Sequence, residues 1–237
     1  MRAASSRLIT LGLVLVAVWA TAGTITQTHA YGPGTPDFIT TLTYNQFNTN
    51  GGVLVLDSIQ VIFGLTSQGG VYILDNDSTS AASGNFSFGA KSLATNATVP
   101  LLNTSFQPVV PQLSAAHSQA FSLDPNQDDG PNDWSPLPPD GLQYTGGTEN
   151  DTKSGFIANS LFALYSGLGT FSVDVDTSQF STYGGVSGIE YAVTPVTASG
   201  DLTIKYNYHS TLPEPGTASL MFVGLGVLLA ARRRRSA

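Results

Sequence analysis

No cysteine occurs among the 237 residues. Disulfide staples, thiolate metal sites and cysteine nucleophiles are therefore excluded, and the chain must hold itself together by burying a core. Basic residues are nearly as scarce once the ends are set aside. All six arginines are terminal (Arg2, Arg7 and Arg232 to Arg235), so Gly23 to Leu212 carries only Lys91, Lys153 and Lys205 against fifteen acids, a net of −12. Nucleic acids and anionic lipid surfaces are bound by Lys and Arg that neutralise phosphates, so this region argues against both and leaves cations and neutral polysaccharide as partners. Catalytic signatures are missing too. His29, His117 and His209 have no Asp or Ser at motif spacing, and no G-x-S-x-G elbow is present. Gly167-Leu168-Gly169 lacks the further Gly of a dinucleotide fingerprint. Asp174 and Asp176 offer the one carboxylate pair of glycosidase type, but alternation with Val173 and Val175 suits a solvent-facing strand side better. No residue is assigned a catalytic role, and the expectation is a protein without enzymatic activity.

Long apolar runs are confined to the two ends. Leu8 to Ala20, preceded by Arg2 and Arg7, has the length of a secretory leader rather than a membrane span, and Ala20-Thr21-Ala22 supplies an A-x-A cleavage site. Thr28-His29-Ala30 is a second such site. At the other end, Thr217 to Ala231 is fifteen residues, roughly 22 Å of helix against about 30 Å of hydrocarbon core. As a permanent anchor that is marginal. Arg232, Arg233, Arg234 and Arg235 follow at once and hold the C-terminus on the cytoplasmic side. Pro213 and Pro215 prevent a helix from continuing backwards through Glu214, leaving an extended peptide at the outer membrane surface.

Pro213-Glu214-Pro215, the apolar segment and the arginine block together resemble the PEP-CTERM sorting signal of Gram-negative bacteria. That resemblance implies recognition by a membrane-embedded exosortase, removal of the tail, and delivery to the cell surface or its polysaccharide matrix. Contact with the membrane is then transient and only through the C-terminal segment. A sortase motif fails because Pro215 stands where Thr is needed, and a GPI signal has no terminal arginine block. A plain single-span anchor is disfavoured by the short span.

Between the ends, the chain reads as short strands separated by turn chemistry. Phe171-Ser172-Val173-Asp174-Val175-Asp176 and Leu202-Thr203-Ile204-Lys205-Tyr206-Asn207-Tyr208-His209 alternate apolar and polar residues, so each should bury one face. Val53 to Leu56, Ile59 to Phe63 and Val71 to Leu74 are apolar runs that Gly51-Gly52, Gly64 and Gly69-Gly70 are expected to break, and Phe86-Ser87-Phe88 continues the series. Only Phe156 to Tyr165 has helical spacing, with apolar residues at 157, 161, 164 and 165. The fold class expected is all-β: one antiparallel β-sandwich or jelly roll over 23–211, between a leader (1–22) and a sorting tail (212–237).

A second resemblance covers roughly Thr24 to His209. Thr24-Ile25-Thr26-Gln27-Thr28, Asp37-Phe38 before Thr40-Thr41, Gln46-Phe47-Asn48, Tyr165 to Thr170 and Ile204 to Tyr208 are, in that order, similar to the choice-of-anchor E domains. That family joins one β-rich exported domain to interchangeable anchoring tails and has no established catalytic activity. With Thr24 to Thr28 as the first strand, cleavage after Ala30 would delete it, which favours Ala22.

The acidic, proline-rich stretch from Leu123 to Gly141 departs most from the family. Asp124, Asn126 and Asp128 place oxygen side chains at alternate positions, as calcium loops do, but the turn Gly falls at 130, one residue late, and Ser135 stands where an EF-hand has its bidentate Glu. Two readings stand: a calcium site, or a solvated loop whose Asp and Asn form turns. Trp134 in the same loop can stack on a sugar or pack back on its own domain. Three functions follow, in order: a non-catalytic surface or matrix protein, a carbohydrate- or calcium-binding module, and a secreted hydrolase.

Overall fold

In the computed structural model the described residues are 21–95, 98–127, 135–185, 187–212 and 223–226. Residues 1–20 of the expected leader (1–22), Asp128, Trp134, Pro213-Glu214-Pro215 and Arg232 to Arg235 lie outside them.

The fold is all-β. Among the described residues eleven strands follow one another: β1 (Ala22–Gly34), β2 (Phe38–Asn45), β3 (Leu54–Gln68), β4 (Val71–Asn76), β5 (Ala82–Thr95), β6 (Leu113–Leu123), β7 (Gly141–Thr145), β8 (Thr148–Phe156), β9 (Thr170–Gly184), β10 (Ile189–Val193) and β11 (Thr197–Ser210). They form two four-stranded sheets, β1-β11-β3-β8 and β2-β9-β5-β6, and a small third sheet, β10-β4-β7. Every pairing is antiparallel. The first strand lies beside the last, with Ala22 opposite His209.

Both alternating segments fold as their patterns require. Phe171, Val173 and Val175 of β9 are buried while Asp176 is exposed. Leu202, Ile204 and Tyr206 of β11 are buried and Lys205 is half-buried. Side chains alternate across a strand, so one apolar residue in two suffices to line a core. Residues of both large sheets meet in a single buried cluster that includes Leu42, Val61, Phe88, Val173 and Ile204.

That core is held by tyrosines. The hydroxyl of Tyr44 donates to the Leu202 carbonyl at 2.7 Å, Tyr206 to Asn45 at 3.0 Å, Tyr165 to Pro100 at 3.0 Å and Tyr31 to Gly64 at 2.7 Å. Each bond carries a buried O–H to a main-chain acceptor and contributes about 1 kcal/mol net. Burial drives their pKa values upward, that of Tyr31 to about 12, so all four stay neutral donors over the ordinary range. The Tyr44 and Tyr206 bonds tie the two large sheets together in a chain that has no disulfide.

One glycine departs from its expected role. Gly64 does not break a strand: β3 runs unbroken from Leu54 to Gln68. The carbonyl of Gly64 accepts the Tyr31 hydroxyl, and the space above Gly200, two strands from β8, is filled by the Tyr31 ring. Close approach, rather than a turn, is what these strand glycines provide. Gly51-Gly52 and Gly69-Gly70 do turn the chain, each with positive φ. The segment with helical spacing forms a 3-10 helix at Asn159–Tyr165, ending on the buried Tyr165.

Candidate functional site

The acidic segment is anchored at its roots by buried polar side chains from the small sheet and its margin. Asn76 Nδ2 donates to the carbonyls of Ser80 and Asp124, at 3.0 and 2.6 Å. The carboxylate of Asp75 accepts the Ser135 N–H and that of Asp140 accepts the Gln127 N–H, both at 2.8 Å. All three of these side chains are nearly inaccessible to solvent, which suits groups whose charge or polarity is matched by fixed main-chain donors and acceptors. Residues 124–127 and 135–141 are therefore ordered by protein groups.

Two of the three calcium candidates lie within this frame. Asp124 is an exposed residue whose N–H bonds the Pro139 carbonyl, and Asn126 uses its N–H on Ser78. Asp128 lies outside the described residues. Among the described residues no three His, Asp or Glu side chains converge on one point.

Folding brings two histidines to carboxylates that are remote in sequence. His209 Nδ1 and Asp57 Oδ1 are 2.7 Å apart, across β11 and β3. His117 of β6 is buried, with Nδ1 3.7 Å from Glu149 of β8 and its other nitrogen, Nε2, unpartnered. Sequence spacing shows neither pair, because each joins different strands. Among the described residues neither ring is hydrogen bonded to a hydroxyl, so neither pair has the nucleophile arrangement of a hydrolase. Asp174 accepts a 2.7 Å bond from the Thr41 hydroxyl on the outer face of β9, and Asp176 beside it is exposed; both lie on a sheet face, not in a cleft.

A hollow of about 440 Å³ lies on the outer side of β9, β5 and β6. Asn85, Ser87, Ser118, Gln119, Thr182 and the half-buried Tyr183 line it. Ser118 donates to Ser87 at 3.0 Å across the β5–β6 pair, and Tyr183 is backed by Phe121 and Tyr191. Nearby on the same sheet, Lys91 Nζ stands 4.5 Å above the Phe180 ring. Amides and hydroxyls of Asn85, Ser87, Ser118 and Thr182 face it, whereas Phe86 and Tyr183, opposite each other in register, turn their side chains to the other face of the sheet; no carboxylate lines it among the described residues. No signal in the sequence marked it, because its residues come from three strands and none belongs to a motif.

No protein-family model matches the chain, and no curated protein matches it in sequence. Among solved structures, it is similar to the VP2 subviral particle of infectious bursal disease virus at 13% identity and a TM-score of 0.16, over 97% of this chain and 54% of that one. The Gx strain of the same virus gives 12% identity and a TM-score of 0.14, over 98% and 54%. The chain thus spans about half the length of these solved chains.

Proposed function

We propose that the chain is a non-catalytic component of a Gram-negative bacterial surface or of its extracellular polysaccharide matrix, exported by its leader and sorted by an exosortase that removes the tail. One observation carries this reading: Pro213-Glu214-Pro215, the short apolar run from Thr217 to Ala231 and Arg232 to Arg235 stand in order at the end of the chain. The folded block supports it. Strands run from Ala22 to Ser210, so the proposed leader cleavage falls at the first paired residue and the proposed tail cleavage just beyond the last strand. A leader ending at Ala22 leaves β1 almost whole, whereas one ending at Ala30 would strip most of β1 from β11. Two four-stranded sheets that share one core suit the β-sandwich of the choice-of-anchor E resemblance.

The test is Glu214→Ala in an exporting host. The wild type is expected in the surface or medium fraction, and the variant in the membrane fraction with its tail attached. Equal release of both would overturn the sorting reading.

A second reading, a carbohydrate-binding module, is favoured by the hydroxyl- and amide-lined hollow on the outer side of β9, β5 and β6. Such a lining pairs with sugar hydroxyls. Calorimetric titration with neutral oligosaccharides is expected to show binding that Asn85→Ala with Ser118→Ala weakens at least tenfold. Binding unchanged in that variant would place the sugar elsewhere, and no heat with any neutral glycan would remove this reading.

A further inference from the structure

Strand β1 lies at the edge of its sheet, and its free side differs from the opposite edge, β8, and from the edge strand β2. The Ser210 N–H donates to the Thr21 carbonyl at 2.9 Å. In an antiparallel ladder alternate residues exchange both main-chain bonds with the residue opposite. The register is unbroken from Ala22 opposite His209 to Tyr31 opposite Gly200, so residues 23, 25, 27, 29 and 31 bond to β11. The N–H and C=O groups of Ala22, Thr24, Thr26, Thr28 and Ala30 therefore point away from the sheet. All five residues are exposed, and among the described residues no strand pairs with that side.

The edges at β8 and β2 carry guards against further pairing. On β8, Glu149 reaches toward His117, Asp151 accepts the Ser114 N–H at 2.9 Å, and Lys153 pairs with Asp151 at 2.8 Å. On β2, the Gln27 carboxamide takes both edge groups of Asn45, each at 2.9 Å. Asp176 and Asp174 flank the same strand, opposite Ile39 and Thr41. By contrast, Ala22 to Gly34 contains no Lys, Arg, Asp or Glu. Beside it on β11 stand Asn207, Lys205 and Thr203, with the first acid, Asp201, opposite Ala30.

The free edge is also self-complementary. Read in either direction from Thr26, the outward residues are Ala, Thr, Thr, Thr, Ala. A two-fold axis through Thr26 sets Thr26 opposite itself, Thr24 opposite Thr28 and Ala22 opposite Ala30, every one with its N–H and C=O facing the other copy. About ten main-chain hydrogen bonds can form, with threonine directly opposite threonine on the exposed face. This is the isologous geometry that closes after two copies. Pro33, without an N–H, ends the pairable stretch just beyond it.

We propose that β1 pairs with β1 of a second copy of this chain, antiparallel and centred on Thr26, joining two four-stranded sheets into one. A strip one strand wide buries little area, so the association is reversible. The strongly acidic copies repel one another, so salt should strengthen it until the charges are screened. A leader ending at Ala22 removes only the outermost pair and leaves Thr24, Thr26 and Thr28 in place.

Sedimentation velocity on the exported chain tests this, with the unfolding temperature of each variant as the check that it is folded. Wild type should form a concentration-dependent dimer. Thr24→Lys with Thr28→Lys brings like charges together on both sides of the axis and should be monomeric. Thr24→Lys with Thr28→Glu sets the introduced lysine of one copy against the introduced glutamate of the other only in this antiparallel register, so the dimer should return and now weaken with salt. Thr26→Lys, which places two lysines at the axis, should behave as the double-lysine variant does. A wild type that stays monomeric, a dimer that survives the double-lysine change, or a Lys/Glu variant no more associated than the double-lysine one would each overturn the proposal. None of these outcomes depends on how the tail is processed.

Discussion

Ile204→Asp is expected to unfold the domain, or to lower its stability by about 4 kcal/mol or more, whereas Lys205→Asp should change it by less than about 1 kcal/mol. Ile204 is fully buried in the middle of β11, opposite Gln27 of β1 and Val61 of β3. A carboxylate there has no cation to meet, because the three lysines at 91, 153 and 205 all lie outside the core cluster. It must either ionise in an apolar setting or take up a proton, and each course costs free energy. Lys205, one residue along, projects from the other side of the same strand between Thr26 and Gln60. Thermal unfolding of the two variants reads the difference directly. Equal shifts would mean that the strand's two faces are not distinguished as described.

Gly200→Val should cost on the order of 3 kcal/mol, with a fall in Tm of roughly 10 °C for a domain of this size. A side chain at 200 would run into the Gly64 carbonyl and the Tyr31 ring, whose hydroxyl is bonded to that carbonyl. Those partners cannot withdraw cheaply: Gly64 is main chain in the centre of a sheet, and Tyr31 is buried. Gly64→Ala is the informative contrast. A Cβ there meets the Asp201 carboxylate at 3.3 Å, and Asp201 is an exposed side chain that can move. The expected loss is under about 1 kcal/mol. Tyr31→Ala combined with Gly200→Val should recover part of the loss, since residues in contact do not add independently. Full additivity of the pair would show that the Tyr31 ring is not what excludes a side chain at 200.

These two positions mark where the sequence is legible and where it is not. Ile204 could be placed from its neighbours alone, because strand alternation is a local signal and β11 and β9 obey it residue by residue. The same logic found the turns at Gly51-Gly52 and Gly69-Gly70. Gly64 carries the same local signal with the opposite meaning, since what requires glycine near it is Tyr31, 33 residues away. The small sheet β10-β4-β7 was equally hidden, as its strands come from three distant parts of the chain.

Sites followed the same division. The proposed sorting tail is contiguous and is legible whole, motif, apolar run and arginines together. Asp124 and Asn126 were visible as an alternating pattern, but the buried Asp75, Asn76 and Asp140 that hold their loop were not, because those bonds join separate strands and turns. The hollow beside Tyr183 and the His209 to Asp57 contact belong to the same class. A sheet assembles its outer face from strands that need not be neighbours in sequence, so one sequence window holds only a fraction of any such surface.

Delivery by a removable tail is the central claim, and the intact mass of the exported protein tests it most directly. The account predicts a mature chain that begins at or near Gly23 and ends between Pro213 and Pro215, lighter than the full chain by both terminal segments. A surface form whose mass still includes Arg232 to Arg235 would contradict it.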